Sequence, residues 1–455
     1  MDIVVTPGAT LEGSVAVPGD KSIAHRWLIL AATASGRSRL VGLPPSLDVR
    51  STASCLSVVT DKARPSLDVF ARNASPGVER GGSTWNEESR ESFDLPLEVE
   101  GQGRSGLVPP AETLDCGNSG TTMRLLSGVL AAAPFEAVLS GDESLSGRPM
   151  DRVAEPLRAM GASIETRDGH PPLVVRGARL QGIRHVARVP SAQVKSAVLL
   201  AGVAADGETT VSEPAPTRDH TERSLAALGA PVSADENGIH VERYQHDGFD
   251  ARVPGDVSSA AFLIAAAAVT GSRISIEDVG LNPTRLHFLE VLDRMGVQTT
   301  CRIERTELGE PVGSIAVEPC AGIRAVRVEP GELPLIIDEV PVLAALATHA
   351  ASDSWFLDAA ELRVKESDRL HAIATGVRHL GGVAADEGVD LVIAGGGLEG
   401  GRADARGDHR MAMALVVAAL GGRGPSQIDG VEAADVSFPG FVATVRALGV
   451  ALEPV

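Results

Sequence analysis

Ten residues, Glu361-Leu-Arg-Val-Lys-Glu-Ser-Asp-Arg-Leu370, carry Glu361, Arg363, Lys365, Glu366, Asp368 and Arg369. Apolar Leu370, Ile373, Val377 and Leu380 follow at helical spacing, so the charges occupy a loop and the first turn of a helix buried along one face. Lys365 and Arg369 stand four apart and can point the same way. Cations at a helix N-terminus oppose its dipole, a placement that suits a site entered by an anion. Glu366, beside Lys365, is a candidate proton donor if partly desolvated; as a helix-start acid it is equally favoured by the dipole. Asp338 lies between Leu335-Ile-Ile337 and Val340-Pro-Val-Leu-Ala-Ala345. An acid entering an apolar helix is an N-cap or a general base, and the pattern alone favours the cap.

Similar residues open other apolar stretches. Lys21 and Ser22 stand at one start, with Arg26 a turn later. Gly120, Thr121 and Thr122 stand at a second, followed by Arg124. Ser191, Gln193 and Lys195 open a third, and Asp408, His409 and Arg410 the last. A helix N-terminus offers free N–H groups and the positive end of a dipole. Several such ends, joined by Lys21, Arg148, Lys365, Arg369 and Arg410, would hold more than one phosphate or carboxylate, for which guanidinium suits bidentate contact.

The elements that must position these groups repeat. Asp20, Asn118, Ser191, Asp256, Asp338 and Asp408 are each followed by an Ala/Val/Leu-rich stretch, which predicts capped helices that are apolar nearly all round and therefore buried. A second pattern is a helix closed by Gly161, Gly229, Gly296, Gly381 or Gly449, at intervals of 67 to 85 residues, with a strand after it. Six copies of one unit make an α/β repeat protein whose units split into two domains of three. The first unit is longest, with 98 residues between its start and the next against 65 to 82 elsewhere. Its excess, about 64–104, is rich in Gly, Ser, Pro and Glu and is read as a surface insertion.

A chain of 455 residues has ample core for two or more domains. Only 3% of it is aromatic, so that core is Ala, Val and Leu. A net charge of −19 argues against nucleic-acid or membrane-surface binding, and a basic cleft must then be local. The four scattered cysteines form no C-x-x-C pair; they fit a reducing cytosol and no metal site. No basic, apolar export signal follows Met1, so a cytoplasmic protein is expected. Gly101-Gln-Gly-Arg-Ser-Gly106 is a formal dinucleotide fingerprint, but Leu107-Val-Pro-Pro110 after it cannot open the required helix. Gly19-Asp-Lys-Ser22 lacks the upstream glycines of a phosphate-binding P-loop.

Taken together, Pro18-Gly-Asp-Lys-Ser-Ile-Ala-His-Arg26, Asn118-Ser-Gly-Thr-Thr-Met-Arg124, Gly141-Asp-Glu-Ser-Leu-Ser-Gly-Arg-Pro-Met150, Arg218-Asp-His-Thr-Glu-Arg223, Arg363-Val-Lys-Glu-Ser-Asp-Arg369 and Asp408-His-Arg-Met411 resemble the 5-enolpyruvylshikimate-3-phosphate synthase family of enolpyruvyl transferases. The resemblance runs from Val17 to Pro439. It implies a two-domain α/β fold, an inside-out barrel, with three βαβαββ units and their buried helices in each domain. The N-terminal domain would span 20–250 and carry the insertion; the discontinuous C-terminal domain would span 1–19 and 251–455. The implied reaction moves the carboxyvinyl group of phosphoenolpyruvate to the 5-hydroxyl of shikimate 3-phosphate and releases phosphate, on the route to chorismate and the aromatic amino acids. Neither metal nor organic cofactor is expected, and a monomer without nucleic-acid or membrane partners is implied.

By position, Lys21 would touch both substrates. Ser22, Arg26, Ser191 and Lys365 would hold shikimate 3-phosphate, with Gln193 between the two. Gly120, Arg148, Arg369 and Arg410 would hold phosphoenolpyruvate. Asp338 would take the hydroxyl proton and Glu366 would protonate the methylene carbon. The chain departs from the pattern at Ala192, at Glu361, and at Val436-Ser437 before Phe438-Pro439, where some members carry a phosphate-binding lysine two residues before the Phe; Lys195 and Arg218 are candidates to compensate. One rival is UDP-N-acetylglucosamine enolpyruvyl transferase, which resembles Lys-Asn at the first helix and carries a Cys in the loop of Arg148; here Lys21-Ser22 stands there and Asp142–Gly147 holds no Cys. The other is a non-catalytic sugar-phosphate-binding paralogue, which would lack Asp338, Glu366 or Lys21.

Overall fold

A computed structural model describes residues 1–73 and 95–455. All six expected helices form: Lys21–Thr33, Gly120–Leu130, Ala192–Gly202, Val257–Val269, Val340–Ala347 and His409–Leu420. They are buried almost throughout, as helices without a polar face must be. Asp20, Ser191, Asp256 and Asp408 cap their helices through side-chain oxygens. Two starts differ from expectation. Ser119, not Asn118, accepts from the Thr122 N–H at 3.1 Å; Asn118 instead accepts from Arg148 at 2.6 Å. Asp338 is not a cap either: Val340–Ala347 begins after Glu339 with no side-chain cap, the proline at its first turn removing one donor that would need it. The five Gly-terminated helices end with positive φ at Gly161, Gly229, Gly296, Gly381 and Gly449, where a side chain would be strained.

The buried side chains fall into two cores. One gathers Ile23 to Val253 around the first three buried helices. The other gathers Val257 to Leu452 around the last three and adds Ile3, Val5, Leu11 and Val17 from the start of the chain. Ile3–Val5 pairs with Ser426–Asp429 and Leu452–Pro454, and Glu12–Ala16 pairs with Arg273–Gly280. The chain thus passes between lobes twice, near residues 17–20 and 253–256. The two passages are stitched together: Asp20 N–H donates to Pro254 O at 2.7 Å and Asp256 N–H to Pro18 O at 2.8 Å. Gly19 is required there, since a Cβ would lie 2.1 Å from Gly42 O.

Among the described residues there are six sheets. In five of them a parallel pair is extended by two antiparallel strands; the sixth, Asp250–Arg252 with Ser35–Val41 and Leu97–Gln102, has one parallel and one antiparallel pairing. Helix Arg64–Asn73 and strand Leu97–Gln102 pack in the first lobe, which trims the expected insertion at both ends. Leu97 and Val99 alternate into the core and the strand pairs with Ser35–Val41, while Arg64–Asn73 is a helix that buries Leu67. Glu98, Glu100 and Gly101 give that strand the look of a loop. Residues 74–94 of the expected insertion lie outside the described residues. A short 3-10 turn, Arg104–Gly106, follows Gly101 and Gly103, not the helix that a dinucleotide loop opens.

Candidate active site

The helix starts of the two lobes face each other. In the first lobe, Lys21 Nζ lies 2.8 Å from Asp48 Oδ2. Burial would lower the Lys21 pKa, but Asp48 and then Glu366 of the other lobe more than offset this and hold it above its ordinary value. Arg26 is 2% exposed and donates to Ser196 Oγ at 2.7 Å, Thr221 Oγ1 at 2.9 Å and Ser22 O at 2.8 Å; burial brings its pKa down to about 10. Gln193 is fixed between Arg124, which donates to its Oε1, and Thr121 Oγ1, to which it donates at 2.8 Å. A Cβ on Gly120 would meet Arg124 Nη1 at 3.0 Å and Arg148 Nη1 at 3.4 Å, so glycine lets two guanidiniums approach the backbone. Arg148 Nε is buried without a partner among the described residues. The Ser191 hydroxyl accepts from Val194 N–H as a cap.

In the second lobe, Arg369 is 1% exposed. Its Nε lies 2.8 Å from Asp408 Oδ2 and its Nη2 2.6 Å from Glu366 Oε2. The misplaced cation at that helix start is therefore answered by two internal carboxylates, and Asp368 caps the helix by accepting from His371 N–H at 3.0 Å. Arg410 Nη1 donates to the Asp338 carbonyl at 2.7 Å, and its Nη2 lies 3.7 Å from the Asp338 carboxylate. Arg369 Nη1 is 3.8 Å from the same carboxylate, and Arg218 of the first lobe contacts it directly. Lys365 makes an ion pair with Glu361 at 3.7 Å.

Burial would raise the Asp338 pKa, yet Arg410, Arg218, Lys365 and Arg369 hold it well below the usual carboxylate range. Glu366 is likewise pulled below its ordinary value against desolvation, first by Arg369 and then by Lys21 and Arg148. Burial and the cations Lys21, Arg410 and Arg369 push His409 down to about 3, so it is a neutral imidazole. Around Asp338 and Glu366, cations converge from both lobes: Lys21, Arg148 and Arg218 from the first, Lys365, Arg369 and Arg410 from the second. A surplus of positive charge is thus pooled inside a chain of net charge −19.

The family model for EPSP synthase (3-phosphoshikimate 1-carboxyvinyltransferase) matches residues 5–66 and 86–445. The chain belongs to the EPSP synthase family. The 3-phosphoshikimate 1-carboxyvinyltransferase of Salinibacter ruber is 44% identical over 96% of this chain and 97% of its own length. The enzyme of the same name from Acidithiobacillus ferrooxidans is 43% identical over 99% of this chain and 98% of its own. The EPSP synthase structure from Acinetobacter baumannii superposes with a TM-score of 0.83 at 37% identity, covering 99% of each chain. The α/β fold of two lobes is that of these EPSP synthase structures.

Within this EPSP synthase family fold, Lys21, Ser22, Gly120, Arg148, Gln193, Asp338, Lys365, Glu366, Arg369 and Arg410 fall in or beside one cross-lobe cluster. Arg26 is adjoined through Ser22. Of the two candidates for the absent lysine near Val436, Arg218 reaches the cluster, donating to Ser22 Oγ at 3.4 Å as well as to Asp338. Lys195 does not: it is 3% exposed and held by Glu213 at 2.8 Å and Glu222 at 2.9 Å. Sequence reading missed Asp48, the partner of Lys21, because Ser46-Leu-Asp48 looks like any helix start. It also missed the buried Arg285, which joins the caps Asp20 at 2.9 Å and Asp256 at 3.4 Å across the lobe boundary. No spacing signals a contact made by residues so far apart in the chain. Among the described residues no cluster of metal-ligating side chains is found, and no helix is long and apolar enough to cross a membrane.

Proposed function

We infer that the chain is a 3-phosphoshikimate 1-carboxyvinyltransferase, which moves the carboxyvinyl group of phosphoenolpyruvate to the 5-hydroxyl of shikimate 3-phosphate and releases phosphate, in the shikimate pathway to chorismate and aromatic amino acids. The observation that carries this is the excess of cations from both lobes around two carboxylates, the half-buried Asp338 and the more exposed Glu366, in a chain of this family. Both substrates are multiply anionic. Ser22, Arg26, Ser191, Lys365 and Arg218 hold shikimate 3-phosphate, Gly120, Arg148, Arg369 and Arg410 hold phosphoenolpyruvate, and Lys21 and Gln193 lie between them.

The 5-hydroxyl oxygen attacks C2 of phosphoenolpyruvate and its proton passes to Asp338, while C3 takes a proton from Glu366. The resulting tetrahedral adduct loses phosphate as Glu366 recovers a proton from the methyl group and Asp338 returns one to the leaving phosphate. Glu366 needs a proton that the free site withholds. Arrival of anions on Arg369, Lys21 and Arg148 neutralises the charges that depress its pKa, so substrate binding itself arms the acid. Asp338 is a weak base for the same reason and gains strength when Arg410 and Arg218 turn to the ligands. Preorganised charge and positioning supply the rest of the rate.

The lobes are taken as domains of three βαβαββ units each, 20–250 against 1–19 with 251–455, forming the inside-out barrel; the repeated sheet pairing supports this. Ala251 and Val253 still pack in the first core, so the boundary there is gradual. A cytoplasmic monomer is the expected state, in keeping with four free cysteines. The test is phosphate release from phosphoenolpyruvate with shikimate 3-phosphate, and separately with UDP-N-acetylglucosamine, as acceptor. Release with the first alone is expected; release with the second alone identifies the rival transferase, and release with neither leaves a binding protein.

A further inference from the structure

A chain of buried hydroxyls runs beneath the cluster and is not used by the chemistry above. His25 Nδ1 lies 2.6 Å from Thr52 Oγ1, Thr52 Oγ1 lies 2.7 Å from Thr122 Oγ1, and Thr122 Oγ1 lies 2.8 Å from Ser119 Oγ. His25, Thr52 and Thr122 are 0% exposed and Ser119 1%. These four residues come from three helices and one cap: Lys21–Thr33, Leu47–Val59, Gly120–Leu130 and the residue that opens the last of these. Each helix brings a reacting element. The first begins with Lys21, the second carries Asp48, which grips Lys21, and the third begins at Gly120, against which Arg148 and Arg124 pack. Thr122 Oγ1 also lies 3.3 Å from the Asp48 carbonyl, so the chain touches the residue that holds Lys21.

Its direction follows from what has no partner. His25 Nε2 is buried with no hydrogen bond among the described residues. A buried N–H without an acceptor costs more than a bare lone pair on an imidazole nitrogen. The neutral ring therefore carries its proton on Nδ1 and donates to Thr52. Thr52 then donates to Thr122, and Thr122 donates to Ser119. Ser119 Oγ ends the run as the acceptor of Thr122 N–H at 3.1 Å, the helix cap. From His25 through Thr52 the run is polarised one way, which strengthens its bonds; the Thr122 proton has Ser119 Oγ at 2.8 Å as its nearer acceptor and the Asp48 carbonyl at 3.3 Å as its farther one.

We propose that His25, Thr52 and Thr122 are positioning residues: they lock the cap at Ser119, and with it the Asn118–Gly120 turn and the Arg148 side chain bonded to Asn118, in register with Lys21 and Asp48. The inference rests on the reading that this turn holds phosphoenolpyruvate. A misplacement of the turn by a fraction of an ångström weakens the donor's site while leaving the shikimate 3-phosphate contacts of Ser22, Arg26 and Lys365 in place.

Thr52→Val keeps the shape and cuts the run in the middle. The expected result is a rise of about tenfold in KM for phosphoenolpyruvate, with KM for shikimate 3-phosphate unchanged. Thr52→Ser, which retains the hydroxyl, restores the wild-type value. Amide hydrogen exchange at Gly117–Met123 rises in Thr52→Val and not in Thr52→Ser. A merely structural hydroxyl would lower thermal stability and leave the ratio of the two KM values where it was, and that result overturns the proposal. So does a Thr52→Ser variant as impaired as Thr52→Val. If Thr52→Val does not fold, nitrogen chemical shifts of His25 in the wild-type protein decide: protonated Nδ1 with bare Nε2 is required, and the opposite tautomer refutes the run's direction and the lock built on it. The exchange and chemical-shift measurements need no turnover. Wild-type protein that releases no phosphate therefore sinks the functional reading, whereas an active wild type with an unmoved Thr52→Val sinks only the lock.

Discussion

Replacing Asp338 by Asn tests the acid–base assignment and the electrostatics together. The change is nearly isosteric and removes one negative charge from among Arg218, Arg410 and Arg369, the last two at 3.7 and 3.8 Å. A unit pair at about 4 Å is worth about 4 kcal/mol at an effective dielectric of about 20, and stripping one partner from a largely buried pair costs roughly 3–5 kcal/mol of stability. Loss of the general base lowers kcat about 10²- to 10⁴-fold, or about 3–5 kcal/mol on the barrier. Binding moves the other way. A more positive pocket holds two anions at least as well, so neither KM rises. Inorganic phosphate fills part of the exposed charge and raises the Tm of the variant more than that of the wild type. Because the folded carboxylate lies below its ordinary value of 3.8, its contribution to stability is present above about pH 4 and is lost on acidification; the two proteins converge in Tm at low pH. Steady-state phosphate release and thermal unfolding with and without phosphate measure all of this. A variant whose kcat stays within about threefold of wild type, or whose KM values rise while kcat holds, refutes the role given to Asp338.

Glu366→Gln keeps a hydrogen-bond partner for Arg369 but has no proton to give as a carboxylic acid; turnover falls about 10²-fold or more with substrate affinity retained, and normal turnover would remove Glu366 from the reaction. Glycine at 120 leaves room beside Arg124 and Arg148, so inhibition of the wild type by glyphosate is expected; Gly120→Ala, whose methyl would meet them at 3.0 and 3.4 Å, is expected to weaken inhibition and raise KM for phosphoenolpyruvate, and activity indifferent to glyphosate would show a differently shaped pocket. Lys195→Met leaves Glu213 and Glu222 buried without their cation, costing roughly 3–5 kcal/mol; Tm falls while KM for shikimate 3-phosphate changes little, and an intact Tm with a raised KM would place Lys195 in the site after all.

Much was legible in the chain before any folding was considered. Helix starts, Gly stops and apolar runs are local features, and local chemistry sets them: five of the six buried helices open on a capping Asp or Ser, and the five glycine-terminated ones end at positive-φ glycines. The motifs around Lys21, Gly120, Lys365 and Arg410 likewise announced the family and an anion site. Composition misled at 97–102, where Gly and Glu conceal a core strand whose partner lies some sixty residues earlier. Asp338 shows the other boundary. Read locally it is a cap; folded, it is a carboxylate ringed by guanidiniums from distant segments. Sequence could say which residues carry charge. Only the tertiary structure decided which charges meet, which are spent inside the protein, as with Lys195, and which remain for a ligand, because electrostatic free energy depends on distance and burial and neither is written in the order of residues.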